Sequence, residues 1–273
     1  MVATVADEEA LRGGNISAGV VRVGSTVRRP TGPWTPAVHS LLRHLEVVGF
    51  RGAPRLYGLD ELGREVLEFV EGEVPWPQPH RRLLGDLDSM RRVGALLRSF
   101  HDAVASFPID PEAVWRFPEM AADCEPFIDD RGIIVCHNDP AAWNLVVGKN
   151  RLALVDWDAA GPRPPIWDVA YCAVGVVPVS SDVTRAGWEH PPPYLSRLRA
   201  LAEGYGLTAA ERLRLPEVIV ARVLSSYQHL RRRAAAGISP WDELWRNGHG
   251  EAWLSMLQFA KSNRATWTSQ IAT

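Results

Sequence analysis

The run His137-Asn138-Asp139-Pro140-Ala141-Ala142-Trp143-Asn144 sets an Asp and an Asn in one short loop, with four residues between them. A second acidic pair, Asp156 and Asp158, follows the next apolar stretch. This spacing suits a site where one carboxylate orients a hydroxyl while an amide and another carboxylate hold magnesium on a nucleotide. Taken singly, each residue has a plain structural explanation: His137 as a satisfied core histidine, Asn144 as a turn residue, Asp156 as a loop cap. Four polar groups at strand ends and tight turns, in this order, are hard to explain by packing alone.

Three strands must position them. Gly132 to Cys136 leads into the loop, Leu145 to Val147 leads out, and Leu152 to Val155 delivers Asp156. The loop, the Leu154-Val155-Asp156-Trp157-Asp158 segment and the trailing Gly161-Pro162…Trp167-Asp168-Val169-Ala170-Tyr171 together resemble the aminoglycoside phosphotransferase family. That family lies within the wider protein-kinase-like and choline-kinase-like group. The resemblance implies Asp139 as catalytic base, His137 of the same motif as a second catalytic group, and Asn144 and Asp156 as ligands of Mg2+. It also implies Asp168 as an acid that braces the loop, and Asp158 as a group that assists the metal or faces the acceptor. Asn138, Pro140 and Trp143 stand where Gly, Leu and Gly are common in the family, which bears on substrate more than on reaction type.

The expected architecture is α+β: a bilobal, protein-kinase-like fold with a small antiparallel-sheet N-lobe around one main helix and a larger, mainly helical C-lobe. The expected division is residues 1–72 for the nucleotide-binding lobe and 73–273 for the catalytic and substrate-binding lobe, with 73–80 as connector. In the first lobe, Val20–Val23 and Thr26–Arg29 flank Gly24-Ser25, a two-residue hairpin signal. Thr35 as N-cap and Pro36 at the first helical position start a helix that carries Val38, Leu41, Leu42, Leu45 and Val48 on one face and stops at Gly49. Arg55–Leu59 and Glu65–Val70 form a second hairpin. A proline-rich connector follows, and then a helix from Asp86 or Asp88 with a stripe from Leu87 to Val104. Beyond Pro192 helices are expected at Tyr194–Tyr205, Ala209–Arg233 and Pro240–Ser262.

On the nucleotide side, Gly13-Gly14-Asn15-Ile16-Ser17 precedes the first hairpin and offers backbone N–H groups and a hydroxyl to phosphate. A Lys is usual on the third strand of such a lobe; here Arg28 is the candidate phosphate binder, with a bidentate fork in place of an ammonium. The usual Glu on the following helix is missing, and His39 sits near its place. Glu68, Phe69 and Val70 match the hinge that would take the adenine of ATP or the guanine of GTP.

At 273 residues, 46% apolar and 23% charged, the chain can build a full core. A net charge of −2 gives no reason to expect nucleic acid or a membrane surface as partner. Three scattered cysteines support neither a disulfide framework nor a zinc site and fit a reducing cytoplasm. Met1 to Ala10 is acidic and has no secretion-signal pattern. The implied activity is therefore Mg-dependent transfer of a γ-phosphoryl group to a hydroxyl of an aminoglycoside-like or other small acceptor. The rival expectation is a nucleotide-binding regulator without catalysis, which the missing Lys and Glu favour. Asp129, Asp130, Asp242 and Glu243 are either attractors for a cationic acceptor or a solvated acidic surface, and the second reading is the simpler.

Overall fold

The computed structural model describes residues 8–11, 19–76, 80–120, 122–184, 188 and 190–271. An antiparallel five-stranded sheet comes first, in the order β1-β2-β3-β5-β4, from strands β1 (Glu9–Ala10), β2 (Val21–Val23), β3 (Thr26–Arg29), β4 (Leu56–Leu59) and β5 (Glu65–Glu68). Gly24, at φ 61°, makes the two-residue turn between β2 and β3. Helix α1 (Thr35–Val47) packs beneath the sheet through Val38, Leu41, Leu42 and Leu45. Its N-cap is Trp34 rather than Thr35, because the Thr35 hydroxyl is turned back to accept the Gly32 N–H at 2.9 Å.

After α2 (His80–Leu84), helix α3 (Leu87–Val104) begins where the Asp86 carboxylate accepts the Ser89 N–H, and buries Met90, Val93, Leu97, Phe100 and Val104. Two short antiparallel pairs carry the loops of interest. They are β6 (Ile134–Cys136) with β9 (Gly161–Arg163), and β7 (Leu145–Val147) with β8 (Leu152–Leu154). Helix α4 (Pro165–Val176) is buried along its whole length.

Helices α5 (Tyr194–Tyr205), α6 (Ala209–Ala235), α7 (Trp241–Arg246) and α8 (His249–Gln270) complete the second lobe. The single helix expected from Pro240 is split at Gly248, whose φ of 81° an α-helix cannot hold. One apolar cluster runs continuously from α1 through α3, α4 and α6 to α8. The two lobes are tied by backbone bonds between Glu73 and Val147 and by Arg151, which reaches Glu68 and the carbonyls of Arg51 and Ala53.

Candidate active site

Strand β6 ends at Cys136 and hands the chain to a loop held from below by one buried carboxylate. Asp168, on the first turn of α4, accepts the N–H of His137 at 2.9 Å and that of Asn138 at 2.8 Å. His101 Nε2 lies 3.1 Å from the same carboxylate, and His101 Nδ1 lies 2.7 Å from the Tyr205 hydroxyl. Cys136 is close by, but burial pushes its thiol well above the usual range and Sγ–H donates to Arg163 O. The group is a brace of hydrogen bonds rather than a thiolate metal site.

His137 is fully buried with both ring nitrogens engaged by backbone. Nε2 lies 3.2 Å from Val155 O, and Nδ1 accepts the Asp139 N–H at 3.3 Å. Burial also lowers its pKa. The ring is thus a neutral support that joins the loop to β8, and the expectation that places it among the catalytic groups is corrected to a positioning role. Asn138 adopts φ 63°, a conformation that Gly or Asn enters at low cost. Its Nδ2 donates to Ala159 O at 2.9 Å and Gly161 O at 3.2 Å, which fastens the loop to the segment beyond Asp158.

Asp139 is held from two sides. Trp143 Nε1 donates to its carboxylate at 3.1 Å, and Asn144 Nδ2 donates at 2.8 Å. Burial, reinforced by the charge of Asp156, raises the Asp139 carboxyl to about 7. Because Nδ2 of Asn144 is spent on Asp139, its amide oxygen is left as the donor atom for a cation. Asp156 stands opposite at φ 60°, with about a third of its side chain open. An amide oxygen and a carboxylate are hard oxygen donors, the set that magnesium takes.

The arginine that enters this cleft is Arg29. Its Nη2 lies 3.0 Å from Asp156 and 2.7 Å from Asp158, and its Nε lies 3.4 Å from Glu65. Glu65, from β5, is in turn 2.7 Å from His39 Nε2 on α1. Burial raises Glu65 to about 7 and lowers His39. Arg28 is not part of the site: it points across the sheet to Thr26 Oγ1 at 2.6 Å and Asp60 at 3.6 Å. Strand alternation holds the signal, since Val27 and Arg29 share the buried face and Arg28 must take the other. Asp158 is bound by Arg116 at 2.8 Å as well as by Arg29.

The hinge residues are less free than the sequence suggests. The Glu68 N–H is bonded to Arg55 O and the Phe69 N–H to Ser25 O, while the Glu68 carboxylate is paired with Arg151. Val70 packs with Val146 and Ala153 in a small apolar floor. Gly13, Gly14, Asn15 and Ser17 lie outside the described residues. Asp129, Asp130, Asp242 and Glu243 do not line the cavity that opens beside Asp139, and Asp242 is paired with Arg246 at 3.2 Å. Sequence reasoning missed Arg116 and Arg222, which reach the site from separate elements, and missed the bond that Trp143 makes to Asp139 within the loop. Arg222 on α6 donates to Asn138 O at 2.9 Å.

Residues 102–215 match the model of the phosphotransferase enzyme family. A trifolitoxin immunity protein of Rhizobium leguminosarum bv. trifolii is 35% identical over 213 residues, which cover 76% of this chain and 77% of that protein. Among solved structures, a choline/ethanolamine kinase family protein from Mesorhizobium loti superposes with a TM-score of 0.62 at 17% identity, covering 98% of this chain and 94% of that one. The GDP complex of aminoglycoside 2′-phosphotransferase-IIIa gives 0.62 at 15% identity, with 96% and 94% covered. An amicoumacin kinase bound to AMP-PNP, Ca2+ and Ami gives 0.60 at 14%, with 91% and 86% covered.

Proposed function

The chain belongs to the phosphotransferase enzyme family and has a protein-kinase-like fold, and from that premise we propose that it transfers the γ-phosphoryl group of ATP or GTP, with Mg2+, to a hydroxyl of a small molecule. The observation that carries this reading is the convergence of Asp139, Asn144 and Asp156 on one cleft, with Arg29 at its N-lobe wall. Asp139 accepts the acceptor hydroxyl's hydrogen bond and aims its oxygen at the phosphorus. A carboxyl near 7 is matched to taking that proton at neutral pH. Trp143 and Asn144 fix the carboxylate plane, and positioning of this kind carries much of the rate in phosphoryl transfer.

Asn144 and Asp156 are the residues that would hold magnesium, which when bound offsets charge on the phosphate oxygens. Arg29 then turns from the two aspartates to the phosphates, as a bidentate donor in the post usual for Lys. Glu65 and His39 keep it aimed. Gly13, Gly14, Asn15 and Ser17 are proposed to close over the phosphates, and the backbone near Val70 to take the base. In this division residues 1–72 serve the nucleotide and 73–273 the acceptor. Action inside the cytoplasm follows from its nucleotide supply, and among the described residues no helix is long and apolar enough to cross a membrane.

The Arg29–Glu65–His39 trio weighs against a catalytically silent regulator, because it offers a cation and a support in place of the missing Lys and Glu. A relative named for immunity to trifolitoxin supports a protective role, in which phosphorylation disarms a toxic acceptor. The test is a screen of hydroxyl compounds with MgATP and MgGTP, read as a mass gain of one phosphate. Transfer that requires both Mg2+ and Asp156 is expected; magnesium-dependent nucleotide binding with no transfer to any acceptor contradicts the reading.

A further inference from the structure

A cavity of about 530 Å³ opens from Asp139 into the helical lobe. Its walls are built from rings. Trp76 meets Trp143 edge to face at 5.5 Å, Trp143 meets Tyr171 at 6.3 Å, and Tyr171 stacks on Trp253 at 6.3 Å. A second group, Phe117, His229 and Trp241, forms another wall with centroids 4.8 to 6.1 Å apart. Burial lowers His229 to about 4, so this histidine is uncharged at neutral pH.

Carboxylates outnumber arginines along the cavity. Its interior carboxylates are Asp139, Asp156 and Asp158, all at the catalytic end, and the last two are already bound by Arg29 or Arg116. Asp182 and Glu251 stand exposed at the rim, where solvent screens them. Arg163 and Arg222 also line the wall, Arg222 beside the catalytic end, and neither forms an ion pair with a carboxylate among the described residues. Arg222 instead bonds Ser226 at 2.6 Å and Asn138 O, and lies 4.0 Å from the Tyr171 ring.

The geometry points to an acceptor that is a largely apolar, ring-bearing hydroxyl compound, seated between the two aromatic walls. This rests on the phosphotransfer reading for which hydroxyl reacts, but the binding class follows from the walls alone. An amino sugar with several positive charges presents little apolar area to these walls. A flat apolar body gains area against Trp253 and Phe117.

The experiment uses two probes on the full chain: kanamycin, and the neutral capped peptide acetyl-Phe-Ser-Trp-amide. Each competes against the apolar fluorophore 8-anilinonaphthalene-1-sulfonate, and each is offered to the protein with MgATP. The peptide is expected to displace the fluorophore at saturation and kanamycin is not. Trp253→Ala and Phe117→Ala, outside the catalytic groups, should each weaken the peptide about tenfold, the loss of one aromatic wall. Thermal melts of both variants show whether a weakened site is still folded. Displacement or phosphorylation of kanamycin in preference to the peptide overturns the inference while leaving phosphotransfer intact. Peptide binding without phosphate transfer to any hydroxyl sustains the inference and counts against the activity.

Discussion

Asn138 shows how one residue can serve backbone and side chain together. Its left-handed φ is where the family commonly has glycine, and its amide uses that geometry to tie two loops. Asn138→Gly keeps the backbone and loses the ties, at about 1 kcal/mol per bond. Asn138→Ala loses the ties and adds about 1–2 kcal/mol of strain. Urea unfolding should therefore rank Ala below Gly by that margin; equal stabilities would show that the conformation is not what selects asparagine here. At this scale much was legible: the order His137, Asp139, Asn144, Asp156, Asp168 identifies the loop before any coordinates. Arg28 against Arg29 was a reading one residue out of phase, since a single hairpin gives a weak register. Arg222 on Asn138 O could not be read, as those partners meet only through the fold, whereas Trp143 lies four residues from Asp139 and that contact was within reach of the sequence.

At the scale of elements, α4 is the part that fixes the loop's height. A Cβ built on Gly175 would stand 2.4 Å from the Ala141 side chain, inside the segment between Asp139 and Asn144. Gly175→Ala must push that loop or the helix. Displacing a positioned group by a fraction of an ångström to an ångström is expected to lower kcat by about 10²-fold, with a stability loss of about 1–3 kcal/mol. Steady-state kinetics beside a melting curve checks this, and a full kcat in the folded variant would remove α4 from the account. Helix α4 left no stripe in the sequence because every face is buried, so an apolar run stood where periodicity was sought. Strand β9, with Pro162 in its centre, was hidden for a related reason, since proline argues against a strand except at an edge. The amphipathic helices α1, α3, α5 and α6 were legible because each keeps one face in water.

For the whole molecule, the two lobes meet across the charges of the candidate site. Arg29 spans from β3 to Asp156 and Asp158, while Arg151 and the Glu73–Val147 bonds hold the hinge side independently. A nucleotide bound in the cleft should therefore add stability without having to create the interface. MgATP at a hundredfold excess over its Kd adds about 2.7 kcal/mol, a melting shift of several degrees for a chain of this size. Asp156→Ala should erase the magnesium-dependent part of that shift. The same shift in Asp156→Ala would mean that the cation is held elsewhere.

The most direct test of the central claim is acceptor-dependent phosphoryl transfer by Asp139→Asn, followed by mass on a hydroxyl compound that the unaltered protein modifies. Loss of a positioned proton acceptor predicts a fall in turnover of about 10²–10⁴-fold with nucleotide binding and fold retained. Turnover within a few-fold of the unaltered protein would contradict the account, because the carboxylate that Trp143 and Asn144 hold would then not be the group that aims the hydroxyl.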